Sequence, residues 1–143
     1  VEYELGLQWC EGNDPPMIVS FANGSVTQDG GTHIEGLRTG ISRAAGRYFR
    51  AHRSAIDFKS EDFREGLVGV VSVHLATPRY DGSTKRKLGS LEVIRPVQRA
   101  VEALLKGFLE HNPAVVQAIE SAAQARSAAR DARRSRRPKN EQL

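Results

Sequence analysis

The chain has 143 residues, with 21 Lys and Arg against 17 Asp and Glu and a formal net charge of +4. That length fits a single domain that buries about two thirds of its unfolded surface. No apolar run approaches the ~20 residues that cross a bilayer, and no secretory leader opens the chain, so a cytoplasmic protein is expected.

The opening "VEYELGLQW" alternates apolar and polar side chains, putting Val1, Tyr3, Leu5, Leu7 and Trp9 on one face of a half-buried strand. The chain starts within this pattern and without Met, which suggests a fragment of a longer protein. Cys10 is the only cysteine. It excludes an internal disulfide and a cysteine-based zinc cluster, and reads as a reduced thiol packed as a small hydrophobe. "EGNDPP" is dense in turn residues, and "MIVSFA" is the next strand. The two strands are expected to form a hairpin with a longer loop. "NGSVTQDGG" reads as loop.

"THIEGLRTGISRAAGRYFRAH" is the first helix. Thr32 can cap it, and Glu35 three residues on completes a capping box. Ile34, Leu37, Ile41, Ala44, Ala45 and Tyr48 form its apolar stripe, with Arg43, Arg47 and Arg50 opposite. At about 100° per residue Arg38 falls inside that stripe, so its cation must snorkel, pair or face a cavity. The glycines of "GGTH" are either a phosphate cradle or a turn feeding a capped helix, and their spacing favours the turn.

The valine-rich "GLVGVVSVHL" is a central strand. After it, "DGSTKRKLGS" sets Lys85, Arg86 and Lys87 between glycines and small polar residues, a segment too polar to pack. A lysine there is a compact point charge suited to a phosphate terminus. "LEVIRPVQRAVEALLKGFLEH" is the second helix, with Val97, Val101, Leu104, Leu105 and Phe108 buried and Pro96 in the first turn. Asn112 and Pro113 then cap and start a third helix. There Val115, Ile119 and Ala122 form an apolar stripe. The same sector later carries Arg126, Arg130, Arg133 and Arg137. Ala125, Ala128, Ala129 and Ala132, beside it, could permit close packing.

Residues 126–143 hold 7 Lys and Arg against 2 Asp and Glu, while the remainder is near neutral. That asymmetry points to a polyanionic partner. His33, His52, His74 and His111 are scattered, with no metal-ligand spacing and no nucleophile pattern, so neither a metal site nor independent catalysis is expected.

Taken in order, "GGTHIEGLRTG", "EDFREGL", "VVSVHLATPRYDGSTKRKLGS" and "AARDARR" resemble the transducer domain of the bacterial DNA gyrase B family, over nearly the whole chain. "REGL" and "KLGS" look closer to gyrase than to the related topoisomerase IV scheme. The resemblance implies an α+β fold of the ribosomal protein S5 domain 2-like group. This is a two-layer mixed sheet with helices on one face and a long C-terminal helix. It includes a left-handed β-α-β crossover, against the usual hand. Residues 1–112 would form that domain, 113–137 its connecting helix and 138–143 a disordered tail.

The resemblance further implies a parent that is an ATP-dependent type II topoisomerase, negatively supercoiling DNA together with the gyrase A protein in an A2B2 heterotetramer. ATP and Mg2+ would be held mainly by a preceding GHKL-type domain. The fragment alone would be a monomer with no bound ligand. The family's Gln-Thr-Lys loop matches Ser83-Thr84-Lys85. Lys85 matches the lysine that approaches the ATP γ-phosphate, and the shorter Ser83 departs from the glutamine. The arginine of "EGLR" matches Arg38, which would face DNA with Arg126, Arg130 and Arg133 of the basic terminal helix. A topoisomerase IV transducer or divergent paralogue, and an S5-like nucleic-acid-binding module without nucleotide coupling, are the alternatives.

Overall fold

The computed structural model describes residues 1–12 and 14–136. Strands β1 (Glu2–Trp9), β2 (Met17–Ala22), β3 (Ser25–Val26) and β4 (Leu67–His74) form one mixed sheet in the order β1-β4-β2-β3. Helices α1 (Thr32–Ala51), α2 (Ile94–His111) and α3 (Pro113–Ser135) complete the fold, with one-turn 3-10 helices at Ser60–Phe63 and Leu91–Val93.

β4 runs antiparallel to β1 and parallel to β2. The expected β1–β2 hairpin is therefore corrected: the valine-rich strand lies between the two. Gly66 explains the separation. Its carbonyl accepts the Cys10 N–H at 2.7 Å, and its own N–H donates to the Asp14 carbonyl at 2.9 Å. The connection is thus stitched to the start of β4, and β2 passes to the far side. Gly66 has φ +72°, and a Cβ there would sit 2.5 Å from the Cys10 carbonyl oxygen, so glycine is required. Cys10 itself is exposed, not packed.

The sheet buries one face. Leu67, Val71 and Val73 are fully buried, while Val68 and Val70 between them stay exposed. That alternation follows from the two-residue side-chain period of a strand. The buried face meets Leu37 and Ile41 of α1 and Val97, Val101, Leu105 and Leu109 of α2 in one core. Leu104, expected in that face of α2, is exposed. Gly36 and Gly40 let the two helices touch: Cβ atoms there would lie 2.6 Å from the Ile94 carbonyl oxygen and 2.8 Å from that of Gln98.

Two predicted caps are replaced. Gly31, at φ 131°, holds the N-cap of α1, with no side-chain cap bond. Thr32 is the first helical residue and is buried, and its N–H donates to the Leu88 carbonyl at 3.0 Å. A neighbouring loop does what the capping box was expected to do. Asn112 precedes Pro113 as expected, but its amide donates backwards to the Phe108 carbonyl at 2.7 Å and closes α2 instead.

In α3, Val116, Ile119, Ala122 and Ala123 are buried. The alanine stripe at 125, 128, 129 and 132 is exposed. Arg137 and the tail 138–143 lie outside the described residues.

Candidate functional site

The basic segment is a loop with a defined neck. Tyr80 and Leu88 form an antiparallel bridge. The Asp81 N–H donates to the Lys87 carbonyl at 2.9 Å, and the Gly89 N–H to the Arg79 carbonyl at 2.8 Å. Below the neck, the Ser90 hydroxyl accepts the Arg79 N–H at 2.7 Å. Leu88 is fully buried and plugs the neck into the core, whereas every residue from Asp81 to Lys87 is exposed.

The loop is also tied to the start of α1. The Leu88 N–H donates to the Gly30 carbonyl and the Asp29 N–H to the Arg86 carbonyl. With the Thr32 bond these form a short parallel bridge between Gly31 and Leu88. A Cβ on Gly31 would collide with the Leu88 carbonyl oxygen, so the approach depends on a bare backbone. The glycines of "GGTH" therefore serve a strand-like contact.

The three cations separate in role. Arg86 donates from Nε to Asp29 Oδ2 at 3.0 Å, and Lys87 Nζ stands 3.9 Å from Asp81 Oδ2. Lys85 has no ion pair or hydrogen bond among the described residues. Ser83 and Thr84, beside it, are exposed as well. Two of the loop's charges are thus paired, Arg86 with Asp29 ahead of α1 and Lys87 with the loop's own Asp81, and Lys85 stands exposed.

Next to the loop lies a cleft of about 1030 Å³, lined by Gly31, Thr32, Arg38, Arg64, Lys87 and Leu91 among others. Arg38 is exposed at this cleft and not buried in the α1 stripe, which resolves its odd position: it faces open space. Arg64 shares the cleft. Burial, and then the charge of Arg38, pull the Arg64 pKa below its ordinary value. Sequence reading passed over Arg64, although it lies in the quoted "EDFREGL".

Beneath the cleft is a buried polar chain. The Ser20 and Thr27 hydroxyls lie 2.6 Å apart, and Thr27 Oγ1 lies 3.0 Å from His33 Nε2. Burial lowers the His33 pKa to about 4, so the ring is neutral. Its Nδ1 and the Thr32 hydroxyl are buried without partners among the described residues.

The basic helix divides too. Arg130 and Arg133 are exposed. Arg126, expected to face DNA with them, is spent on an internal partner. Its Nε lies 3.0 and 3.2 Å from the Asp62 carboxylate oxygens, and its Nη2 donates to the Asp57 carbonyl at 2.8 Å. The structure thus sets Arg38 and the loop's Lys87 on one cleft, whose lining includes no arginine of α3. No cluster of three or more His, Cys, Asp or Glu side chains able to hold a metal occurs among the described residues. No helix among them is long and apolar enough to cross a membrane.

Known proteins are similar to this chain in sequence and fold. The family model described as DNA gyrase B matches residues 1–139. A DNA gyrase B protein from Synechocystis is 43% identical over 141 residues, covering 95% of this chain and 13% of that protein. The 43K ATPase domain of Thermus thermophilus gyrase B superposes with a TM-score of 0.81 at 35% identity, over 92% of this chain and 37% of that one. A topoisomerase IV ATP-binding domain from Francisella tularensis gives 0.77 at 31% identity, over 87% and 36%. The chain spans a minor part of the length of the curated relatives it matches, 17% for the gyrase B protein of Chlamydia muridarum. With its model matched almost end to end, the chain belongs to the DNA gyrase B family.

Proposed function

We propose that this chain is the transducer of a gyrase B-type protein, coupling the nucleotide state of a neighbouring ATPase domain to DNA strand passage. The observation that carries the reading is the division of charge in the 81–87 loop. Arg86 and Lys87 are paired at home, and Lys85 projects from a neck anchored to α1. An exposed ammonium on a fixed loop suits the γ-phosphate of ATP bound by another domain. Thr84 and Ser83 flank it, and Ser83 is too short to repeat a glutamine's reach.

In this reading ATP supplies the phosphate that Lys85 contacts, and ATP and Mg2+ are held mainly by a preceding ATPase domain of GHKL type. A charge-assisted hydrogen bond is worth about 1.5–3 kcal/mol. That shifts a two-state orientation by about 10- to 150-fold, enough to bias a switch. The pull is passed to α1 through Leu88. The fold is assigned to the S5 domain 2-like group, with residues 1–112 as the domain and α3 as its connecting helix.

The parent enzyme is then an ATP-dependent type II topoisomerase. It supercoils DNA with the gyrase A protein in an A2B2 heterotetramer, in the cytoplasm at the nucleoid. The chain by itself is a monomer. DNA contacts fall to Arg38, Arg130 and Arg133 on backbone phosphates, because a passing duplex has arbitrary sequence. Arg126 anchors the helix that bears the last two. The likeness to a topoisomerase IV domain supports a second reading, the same device in that relative. The decisive measurement is ATP-dependent supercoiling by the Lys85→Ala parent enzyme, reconstituted with the gyrase A protein.

A further inference from the structure

Asn23 and Gly24 form the turn of the β2–β3 hairpin, between the paired Ala22 and Ser25. Their φ angles are 49° and 82°, the mirror-image turn that a right-twisted hairpin prefers. Both residues are exposed. Asn23 is the only asparagine in the chain that precedes a glycine. Its amide is nevertheless held. Oδ1 accepts the Leu75 N–H at 2.7 Å, and Nδ2 donates to the Leu75 carbonyl at 2.9 Å. The Asn23 N–H donates to the Val73 carbonyl at 2.9 Å. The side chain thus stands in for one more peptide of β2, and extends the pairing with β4 beyond Ala22 and Val73. The Gly24 N–H makes no hydrogen bond among the described residues, and a Cβ there would meet nothing within 4 Å.

We propose that Asn23–Gly24 is a self-modifying site that loses its side-chain amide as ammonia, with the two bonds to Leu75 as its gate. The Gly24 backbone nitrogen gives its proton to solvent base and attacks the Asn23 side-chain carbonyl carbon. The bond from that carbon to Nδ2 breaks, and Nδ2 leaves as ammonia with a proton from solvent. Water then opens the cyclic imide. Breaking the bond from the Gly24 nitrogen to the side-chain carbon gives aspartate. Breaking its bond to the main-chain carbon gives isoaspartate. One water is consumed, one ammonia is released, and nothing is oxidised. Glycine suits the attack because no Cβ crowds its nitrogen. Asn112 cannot follow this route, because the nitrogen of Pro113 carries no hydrogen. While both Leu75 bonds hold, the amide carbon cannot turn to the Gly24 nitrogen, so the reaction waits for this end of the sheet to open.

Either product undoes the clamp. Aspartate sets a carboxylate oxygen against the Leu75 carbonyl where Nδ2 donated. Isoaspartate adds a main-chain carbon to the turn and strains the pairing of Ala22 with Ser25. The strand end that is released leads to Arg79, whose carbonyl accepts the Gly89 N–H at the neck of the basic loop. The modification does not depend on the role proposed above for that loop.

The test incubates the chain in warm, mildly alkaline buffer, folded and in urea. Residue 23 is followed by fragment-ion mass spectrometry, with aspartate and isoaspartate separated by chromatography. Conversion is expected in both states, slower by about tenfold or more in the folded chain because two hydrogen bonds must open first. It should slow further in mildly acid buffer, where the Gly24 nitrogen keeps its proton. Native-state hydrogen exchange at the Leu75 amide should quicken in step with conversion as the temperature is raised. No conversion at residue 23 in urea would overturn the site. Equal rates in the folded and urea-treated chain would overturn the gate. Asn23→Asp, which carries one product outright, should melt at least several degrees below the parent. A melting temperature equal to the parent's would overturn the effect on the sheet.

Discussion

Arg126 and Asp62 join α3 to the loop that leads into β4: the guanidinium Nε touches both oxygens of a carboxylate that is only 2% exposed. Asp62 Oδ2 also accepts the Lys59 N–H at 2.7 Å. Removing the arginine leaves a buried carboxylate without its counter-charge, one of the more costly single changes a fold can suffer. Arg126→Ala should lower the melting temperature by several degrees. Adding Asp62→Asn should recover part of the loss, because the orphaned charge is then gone. Thermal melts of the single and double variants decide it, and an unchanged midpoint for Arg126→Ala would show that the pair carries no stability.

Lys85 is exposed and makes no ion pair or hydrogen bond among the described residues, so Lys85→Ala should leave the melting temperature within about 1 °C of the parent, as surface substitutions do. Its effect should appear in the assembled enzyme, as ATP hydrolysis that no longer drives supercoiling. Arg86→Ala is the contrast: it loses the Asp29 pair, which holds the loop, and should cost only tenths of a kcal/mol because both groups are exposed. Normal supercoiling by Lys85→Ala would end the proposed role of that residue.

Gly31→Ala places a methyl group against the Leu88 carbonyl at a backbone angle that L-residues avoid. The contact cannot relax without parting the loop from α1. A loss of about 3 kcal/mol or more is expected in urea denaturation. Gly46→Ala is the control, since a Cβ there meets nothing within 4 Å. It should stabilise by about 0.5–1 kcal/mol through helix propensity. Equal effects of the two would contradict the close approach.

His33 gives the fold an acid limit. Its folded pKa of about 4 lies below the usual 6.5, so the unfolded chain takes up a proton that the folded chain refuses. The stability is fully present above about pH 6.5 and is lost as pH falls toward 4, by at most about 3 kcal/mol. His33→Asn, which can still meet Thr27, should flatten this part of the stability–pH curve. A slope unchanged by the substitution would place the acid sensitivity elsewhere.

Local pattern was readable in the chain, and long-range pairing was not. The alternation in "VEYELGLQW" and the 3.6-residue spacing of Leu37, Ile41, Ala44 and Ala45 announced their elements, because periodicity belongs to one segment. The hairpin expectation failed because nothing within residues 1–22 reports that Gly66, some fifty residues on, hydrogen-bonds both sides of the connection. Thr32 looked like a cap because Leu88, which supplies the partner, is distant in sequence. Among the site residues, Lys85 stood out by composition and by resemblance. The pairing of Arg126 with Asp62 spans 64 positions and leaves no mark in either neighbourhood. Arg64 looked ordinary in sequence, since its character comes from burial in the fold and then from standing near Arg38.

Leu88 bonds through its N–H to Gly30 and through its carbonyl to Thr32. There is consequently no slack between the basic loop and the first turn of α1. In the proposed role, a pull on the loop's tip would bear first on the backbone that opens α1, the helix on which Arg38, Arg43 and Arg50 are mounted.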